Sequence, residues 1–362
     1  MGPKLYQSVT GRTVLTIAAK VRSKRQKRVV EHLSKVNPKL AIDYMSTFQG
    51  AGAKRADVNV RYGIESTKRH NFAVDGHDKL AGKPDGWILE LLKAKTDPRT
   101  AKKPGDYKLG EWIGVEIECF IPLDNVLGDD WRDEYSEAFS SGERIVRDLL
   151  QVRKVRNVQM KHDGSINADD GCMALEFAVV FHKNDRSNLE ALCNVLRELG
   201  AEVNKSCGLH VHLDCRDLFE AGRLNARKAG LRANRIVNAL PVLAEMVPAS
   251  RRANTYCRLG KSRRPSSSDR YWAVNTTALS RFKTIEVRLH SGTTSFSKIN
   301  NWIDLLWLIS REPRLTRGKV TDPGALFSRC RGIDASLRDY VVNRIAAFRV
   351  TDAEESATEQ AA

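Results

Sequence analysis

Lys205–Asp214 reads KSCGLHVHLD. At a period of two, Leu209, Val211 and Leu213 fall on one face of a strand and His210, His212 and Asp214 on the other. The polar face of a half-buried strand is usually mixed and dispensable. This one carries two imidazoles and a carboxylate at three alternate positions, all able to bind a cation or move a proton.

Three other short stretches share the pattern. Gly114–Phe120 (GVEIECF) sets Val115, Ile117 and Cys119 against Glu116 and Glu118. Ala174–Phe181 (ALEFAVVF) sets Glu176 opposite Leu175 and Phe177, and Thr284–His290 (TIEVRLH) sets Ile285, Val287 and Leu289 against Glu286, Arg288 and His290. Side by side in one antiparallel sheet, at strand spacings of about 4.8 Å, these polar faces form a single patch.

Composition bounds the class. The 362 residues, 41% hydrophobic and 29% charged, suit a soluble globular chain with a substantial core. No apolar run reaches the length of a membrane span, and the first residues lack the pattern of a secretory signal. Seven cysteines with no CxxC pair predict free thiols in a reducing cytoplasm rather than disulfides or a structural zinc site. The net charge of +16 is uneven, because residues 1–105 hold 22 Lys/Arg against 9 Asp/Glu. That front segment is a basic extension, with Lys20–Arg28 (KVRSKRQKR) as its densest run. Such a run can meet nucleic-acid phosphates, but it is more often a solvated helix face or arm.

The pattern divides the chain into the extension 1–105, a main domain 106–350 and an acidic tail 351–362 expected to be disordered. Within the domain, Asp129–Val155 reads as a helix with a break at Ser140-Ser141-Gly142, and Lys161–Ser165 (KHDGS) as a turn. Ser187 and Glu190 form a capping box for a helix ended by Gly200. Arg223–Met246 reads as a helix interrupted by Pro241, Gly260–Asp269 as a flexible basic loop, Tyr271–Asn275 as a strand and Lys298–Ser310 as a helix. Trp302 and Trp307 are expected in the core.

Carboxylates gathered in one patch stay ionised only if cations neutralise them. With imidazoles beside them they suit Mg²⁺ or Mn²⁺. Arg288 cannot ligate a metal but can grip phosphate with its planar fork. Metals with an arginine are what phosphoryl transfer needs. No phosphate-binding glycine loop appears, so a nucleotide would rest on the sheet's charged face.

GVEIE, KHDGS, LEF, NKSCGLHVHLD, SRRANTYC, YWAVN and TIEVRLHSGT, in this order between Leu109 and Ser310, resemble the amidoligase family, a branch of the glutamine synthetase-like carboxylate–amine ligases. The resemblance implies an α+β fold, a curved antiparallel β-sheet with helices packed on its back, carrying ATP and Mg²⁺ (or Mn²⁺). It implies Glu116, Glu118, Glu176, His210 and Glu286 as metal ligands, with Glu116, His210 and Glu286 on one ion and Glu118 and Glu176 on another. Arg288 would bind the transferred phosphoryl group. Asp163 would activate the amine, and Arg258 would contact phosphate or substrate. His212 would serve beside the nucleotide or behind the ligands. The implied reaction joins a carboxylate and an amine, on small molecules or peptides, through an acyl phosphate. His290 and Asp214 are expected on the substrate side or just behind the ligands. The sequence here departs from relatives at Glu176, which Phe177-Ala178-Val179 follows instead of Ser-Pro.

Taken singly, each signal has an ordinary explanation. A Glu-x-Glu pair is commonly a solvated face, and a Glu-x-Arg a surface ion pair. A cupin-like reading of His-x-His fails because Cys215-Arg216-Asp217 stand where its glutamate belongs. The remaining alternative is a nucleic-acid-binding or structural protein with an inactive ligase-like fold, attached through its basic extension.

Overall fold

The computed structural model describes residues 108–361, apart from 129–131, 133–134, 221–222 and 263–269. The basic extension and most of the Gly260–Asp269 loop lie outside the described residues. In chain order the main elements are β1 (Trp112–Pro122), α1 (Leu123–Leu127), α2 (Tyr135–Val152), β2 (Val158–His162), β3 (Cys172–His182), α3 (Ser187–Glu198) and β4 (Gly208–Asp214). A two-stranded ribbon follows, β5 (Phe219–Glu220) with β6 (Arg223–Leu224), then α4 (Ala226–Glu245), α5 (Ala249–Arg252), β7 (Arg258–Lys261) and β8 (Trp272–Asn275). The chain closes with α6 (Ala278–Phe282), β9 (Thr284–Ser291), α7 (Phe296–Arg311), α8 (Pro323–Arg329) and α9 (Ala335–Ala361). Seven strands hydrogen-bond in the order β2-β3-β1-β4-β9-β8-β7. The fold is α+β with a mostly antiparallel sheet, and β7 pairs with β8 in parallel.

The described residues group into two compact units. One consists of Glu118–Val179 and Asp185–Ser206, the other of Cys207–Ala362 with Val180–Asn184 and the stretch ending at Ile117.

In the first unit, β2 and β3 pair antiparallel with Lys161 opposite Glu176. So the KHDGS stretch begins on a strand and turns only after His162. Helix α2 buries Ile145, Val146, Leu149 and Leu150, one helical face. It runs through the expected break without interruption. The reason is steric: a Cβ on Gly142 would stand 2.6 Å from Met173 Sδ and 2.9 Å from Leu123 Cδ2. That glycine allows close packing instead of ending the helix. Helix α3 buries Leu189, Leu192, Val195 and Leu196 as its spacing predicts. Gly200 follows its end at φ +64°, a left-handed conformation that glycine adopts without strain. The capping box does not form, because Arg186 occupies the N-cap and the Ser187 hydroxyl donates to Asp185 at 2.7 Å.

In the second unit, β4 pairs with β1 so that Glu116 opposes His210 and Gly114 opposes His212. On its other side β4 pairs with β9, His212 opposite Glu286. Beyond Val211 the register slips by one: Val211 opposes Val287, but Leu209 opposes His290. Two residues of β9 thus answer one of β4, a β-bulge. The slip carries His290 off the Glu286 face and onto the side of Leu209. Its fully buried ring packs on Trp302 of α7, with ring centroids 4.9 Å apart. Strict alternation placed His290 among the site residues, and the bulge overturns that.

Helix α4 continues through Pro241. Nearby, the Asn238 carbonyl accepts from the Val320 N–H at 2.9 Å, and the Asn238 side chain donates to the Leu315 carbonyl at 2.7 Å. The segment after α7 thus supports the turn that proline disturbs. Trp302 is fully buried, whereas Trp307 is half-buried and carries the Arg311 guanidinium 3.1 Å from its ring centroid. The acidic tail, expected to lack order, continues α9 through Ala361. All seven cysteines are free, and burial pushes the Cys193 thiol up to about 12. Among the described residues no helix is long and apolar enough to cross a membrane.

Trp302 fills the second unit's core behind β9, so Trp302→Ala is expected to cost roughly 3–5 kcal/mol of stability. Chemical denaturation measures this, and a loss below about 1 kcal/mol would show a site that collapses freely or contributes little.

Candidate functional site

The charged faces of these strands are buried. Glu116 is 8% exposed, Glu286 4%, His210 3% and His212 1%. A solvated strand face, the ordinary explanation of each motif, does not describe them. Buried carboxylates need hydrogen-bonded or cationic partners, and the second unit supplies both.

Glu116 of β1 receives two imidazoles from β4. Its Oε2 lies 2.7 Å from His210 Nδ1 and its Oε1 3.1 Å from His212 Nε2. His210 is its direct cross-strand neighbour, while His212 reaches it diagonally, since the residue opposite His212 is Gly114. The second nitrogen of His212, Nδ1, lies 3.0 Å from Thr284 Oγ1. Glu286 stands beside the pair, its Oε1 3.8 Å from His210 Nδ1. Arg288 binds Glu286 Oε1, and Asn275 Nδ2 donates to Glu286 Oε2 at 2.7 Å. Arg251 donates to the Arg288 carbonyl at 2.6 Å, which fixes the backbone beneath that guanidinium.

The electrostatics follow from these contacts. Burial alone would raise the Glu116 carboxyl, but hydrogen bonds from His210 and His212 outweigh it and hold it well below its ordinary range. Glu286 is lowered too: burial opposes ionisation, and the charges of Arg288 and His212 overcome it. His212 moves the other way. Burial disfavours its cation, yet Glu286 and Glu116 raise its pKa above the usual 6.5. The two imidazoles and the Arg288 guanidinium thus offset the negative charge of the buried carboxylates.

Ligand atoms of Glu116, His212 and Glu286 all lie within 4.8 Å of one another. Two carboxylates and an imidazole suit a hard divalent cation. The sequence reading put His210 in this set and His212 beside the nucleotide or behind the ligands. In the structure His212 stands within this distance of the two carboxylates, and His210 is hydrogen-bonded to Glu116 Oε2.

The first unit holds a separate trio. Glu118, Asp163 and Glu176 also place ligand atoms within 4.8 Å of one another. Lys161 Nζ lies 2.9 Å from Glu176 Oε1. Asp163 Oδ1 accepts from Ser165 N at 2.9 Å and Ser165 Oγ at 2.7 Å. Burial would raise the Asp163 carboxyl, and these bonds hold it below its usual range.

Other expected residues lie elsewhere. Arg258 is exposed on β7 and stacks 4.6 Å from the Trp272 ring centroid. Asp214 is structural: it accepts from Gly110 N at 2.9 Å and binds Arg216 through Nε and Nη2 at 2.9 and 2.8 Å. It pins the entry to β1 against the end of β4. Thr284 and Asn275 were not singled out in the sequence. Thr284 shares its strand face with Glu286, so alternation could have found it; Asn275 carries no comparable signal.

The fold and these groups define an α+β sheet protein with a buried carboxylate–imidazole site. A family model described as "Putative amidoligase enzyme" matches residues 113–263, and over that stretch the match supports a relationship to amidoligases and, coarsely, an enzyme of ligase type. No curated protein and no solved structure matches the chain. Glu286, Arg288 and Asn275 fall beyond the matched stretch, so their membership of the site rests on geometry.

The pKa directions fix a pH window for the metal-free protein. Carboxyls lowered in the fold stabilise it above their unfolded pKa near 4.5 and lose this as pH falls through the folded value. His212, raised in the fold, stabilises it fully below about 6.5 and loses this as pH rises through the folded value. In the presence of a chelator, the stability difference between wild type and His212→Gln is expected to be largest between about pH 4.5 and 6.5. It should shrink as pH rises above that window. Urea midpoints against pH measure this, and a difference that stays constant up to pH 9 would remove the imidazolium from the account.

Proposed function

We propose that the protein is an ATP-dependent carboxylate–amine ligase with a glutamine synthetase-like catalytic fold. The observation carrying this reading is the convergence of Glu116, His210, His212 and Glu286 from three strands into one buried cluster, with the half-buried Arg288 beside Glu286. A solvated sheet has no use for such an arrangement. A ligase that transfers phosphate to a carboxylate does.

In this reading Glu116, His212 and Glu286 hold a Mg²⁺ or Mn²⁺ ion. The ion supplies charge neutralisation for nucleotide phosphates when bound. His210 orients Glu116 through its Oε2, and Thr284 holds the ring of His212. Arg288 turns its fork from Glu286 towards the transferred phosphoryl group. An oxygen of the substrate carboxylate attacks the γ-phosphorus and ADP leaves, giving an acyl phosphate. The amine nitrogen then attacks the acyl carbon, phosphate departs, and the nitrogen gives up a proton to leave an amide. Glu118, Asp163 and Glu176 hold a second cation in their own unit. Asp163 fits that role better than amine activation, because a carboxyl held ionised by Ser165 is a weak base. Arg258, stacked on Trp272, has no assigned part in the chemistry.

Incubation with ATP, Mg²⁺ and a broad pool of amino acids, read as ADP release and new amide masses, tests the reading. Wild type is expected to turn over only with the divalent ion. Glu116→Ala and Glu286→Ala should lose more than the roughly 10–100-fold that outer partners of metal sites cost, with circular dichroism unchanged. Arg288→Lys should lower turnover while leaving divalent binding in place. Turnover that survives both glutamate variants would refute the site, and salt-sensitive nucleic-acid binding without turnover would favour attachment through the basic extension.

A further inference from the structure

We infer that Asn275 is the positioning residue for Glu286, and that the site's affinity for a divalent cation depends on it. The inference rests on the metal-bearing reading above and adds a residue to it. Asn275 ends β8 directly opposite Glu286 on β9 and is 3% exposed. Its Nδ2 donates to Glu286 Oε2 at 2.7 Å. Amide oxygens and nitrogens can be interchanged in a structure, so the orientation needs its own argument. Here the partners decide it. Asn275 Oδ1 lies 2.9 Å from the backbone N–H of Thr277, a group that can only donate. The hydroxyls of Thr277 and Ser262 also reach that oxygen, at 2.6 and 3.2 Å. Three donors converge on Oδ1, so it is the oxygen, and the NH₂ must face Glu286.

The consequence is directional. Glu286 has one oxygen held by Asn275 and the other by Arg288. When Arg288 turns its fork to the phosphoryl group, the Asn275 amide remains on Oε2 and keeps the carboxylate from rotating away from Glu116 and His212. With its oxygen occupied, Asn275 is not itself available as a ligand. An isosteric aspartate would keep the bonds from Thr277 and set a second carboxylate against Glu286, an arrangement in which two buried like charges disfavour each other. The role therefore belongs to the amide and not to the shape of the side chain. Outer partners of this kind typically cost 10–100-fold in metal affinity when removed.

Mn²⁺ binding to the full-length protein, followed by its paramagnetic resonance signal and by calorimetry, tests this without reference to turnover. Asn275→Ala and Asn275→Asp are each expected to weaken Mn²⁺ binding about 10–100-fold, at melting temperatures that still show a folded protein. Thr277→Val leaves the bond to Glu286 in place and removes one donor from Oδ1, so it should weaken Mn²⁺ only a few-fold and remain informative if the Asn275 variants fail to fold. Wild-type affinity in folded Asn275→Ala and Asn275→Asp would overturn the positioning role while leaving the metal site standing. So would wild-type affinity in Thr277→Val where neither Asn275 variant folds. A wild-type protein that binds no Mn²⁺ would take down the metal reading itself, and the positioning role with it.

Discussion

Two carboxylates, Glu116 and Glu286, sit inside the second unit at 8% and 4% exposure. Their ionisation under burial is the constraint that the rest of the site answers. Removing a carboxylate from water costs several kcal/mol even after relaxation. The groups around these two are what that cost requires. Two imidazoles reach Glu116; a guanidinium and an amide reach Glu286. Each partner comes from a different strand or from a bulged position, so only the folded sheet assembles them. Without these partners burial would push both carboxyls up and weaken them as ligands.

The same constraint shapes the surroundings. Thr284 fixes the ring of His212 through Nδ1, and Arg251 braces the carbonyl of Arg288. Asn275 is itself tied by Thr277 and Ser262. Polar groups in a low-dielectric interior are costly when half satisfied and rigid when fully satisfied. The trio of Glu118, Asp163 and Glu176 meets the problem differently. It relies on one lysine and on the tight turn that puts Ser165 on Asp163.

Much of this was legible in the sequence, and the illegible parts share a physical reason. Period-two alternation located β1, β3, β4 and β9 and put Glu116, His210 and Glu286 on meeting faces, because side-chain direction along a strand is a local property. What failed was non-local. The bulge that turns His290 into the core depends on how β9 pairs with β4, and no residue of TIEVRLH announces it. Gly142 looked like a helix break because its need for space lies in Met173 and Leu123, distant in the chain. Asn275 sat unremarked in YWAVN, since an asparagine at a strand end reads as a turn residue until its cross-strand partner is known.

The different partners of His210 and His212 show how a cross-strand neighbour decides a side chain's contacts. Both imidazoles stand on the same face of β4, and nothing in HVH separates them. The difference lies across the strand pair. His210 meets the glutamate of β1 head-on and is absorbed by its Oε2, whereas His212 meets Gly114, which offers no side chain. The His212 ring reaches diagonally to Glu116 and sets a ligand atom within 4.8 Å of Glu286 as well. The glycine at the start of GVEIE carries no chemistry of its own, yet its place opposite His212 separates two imidazoles that the HVH motif presents alike.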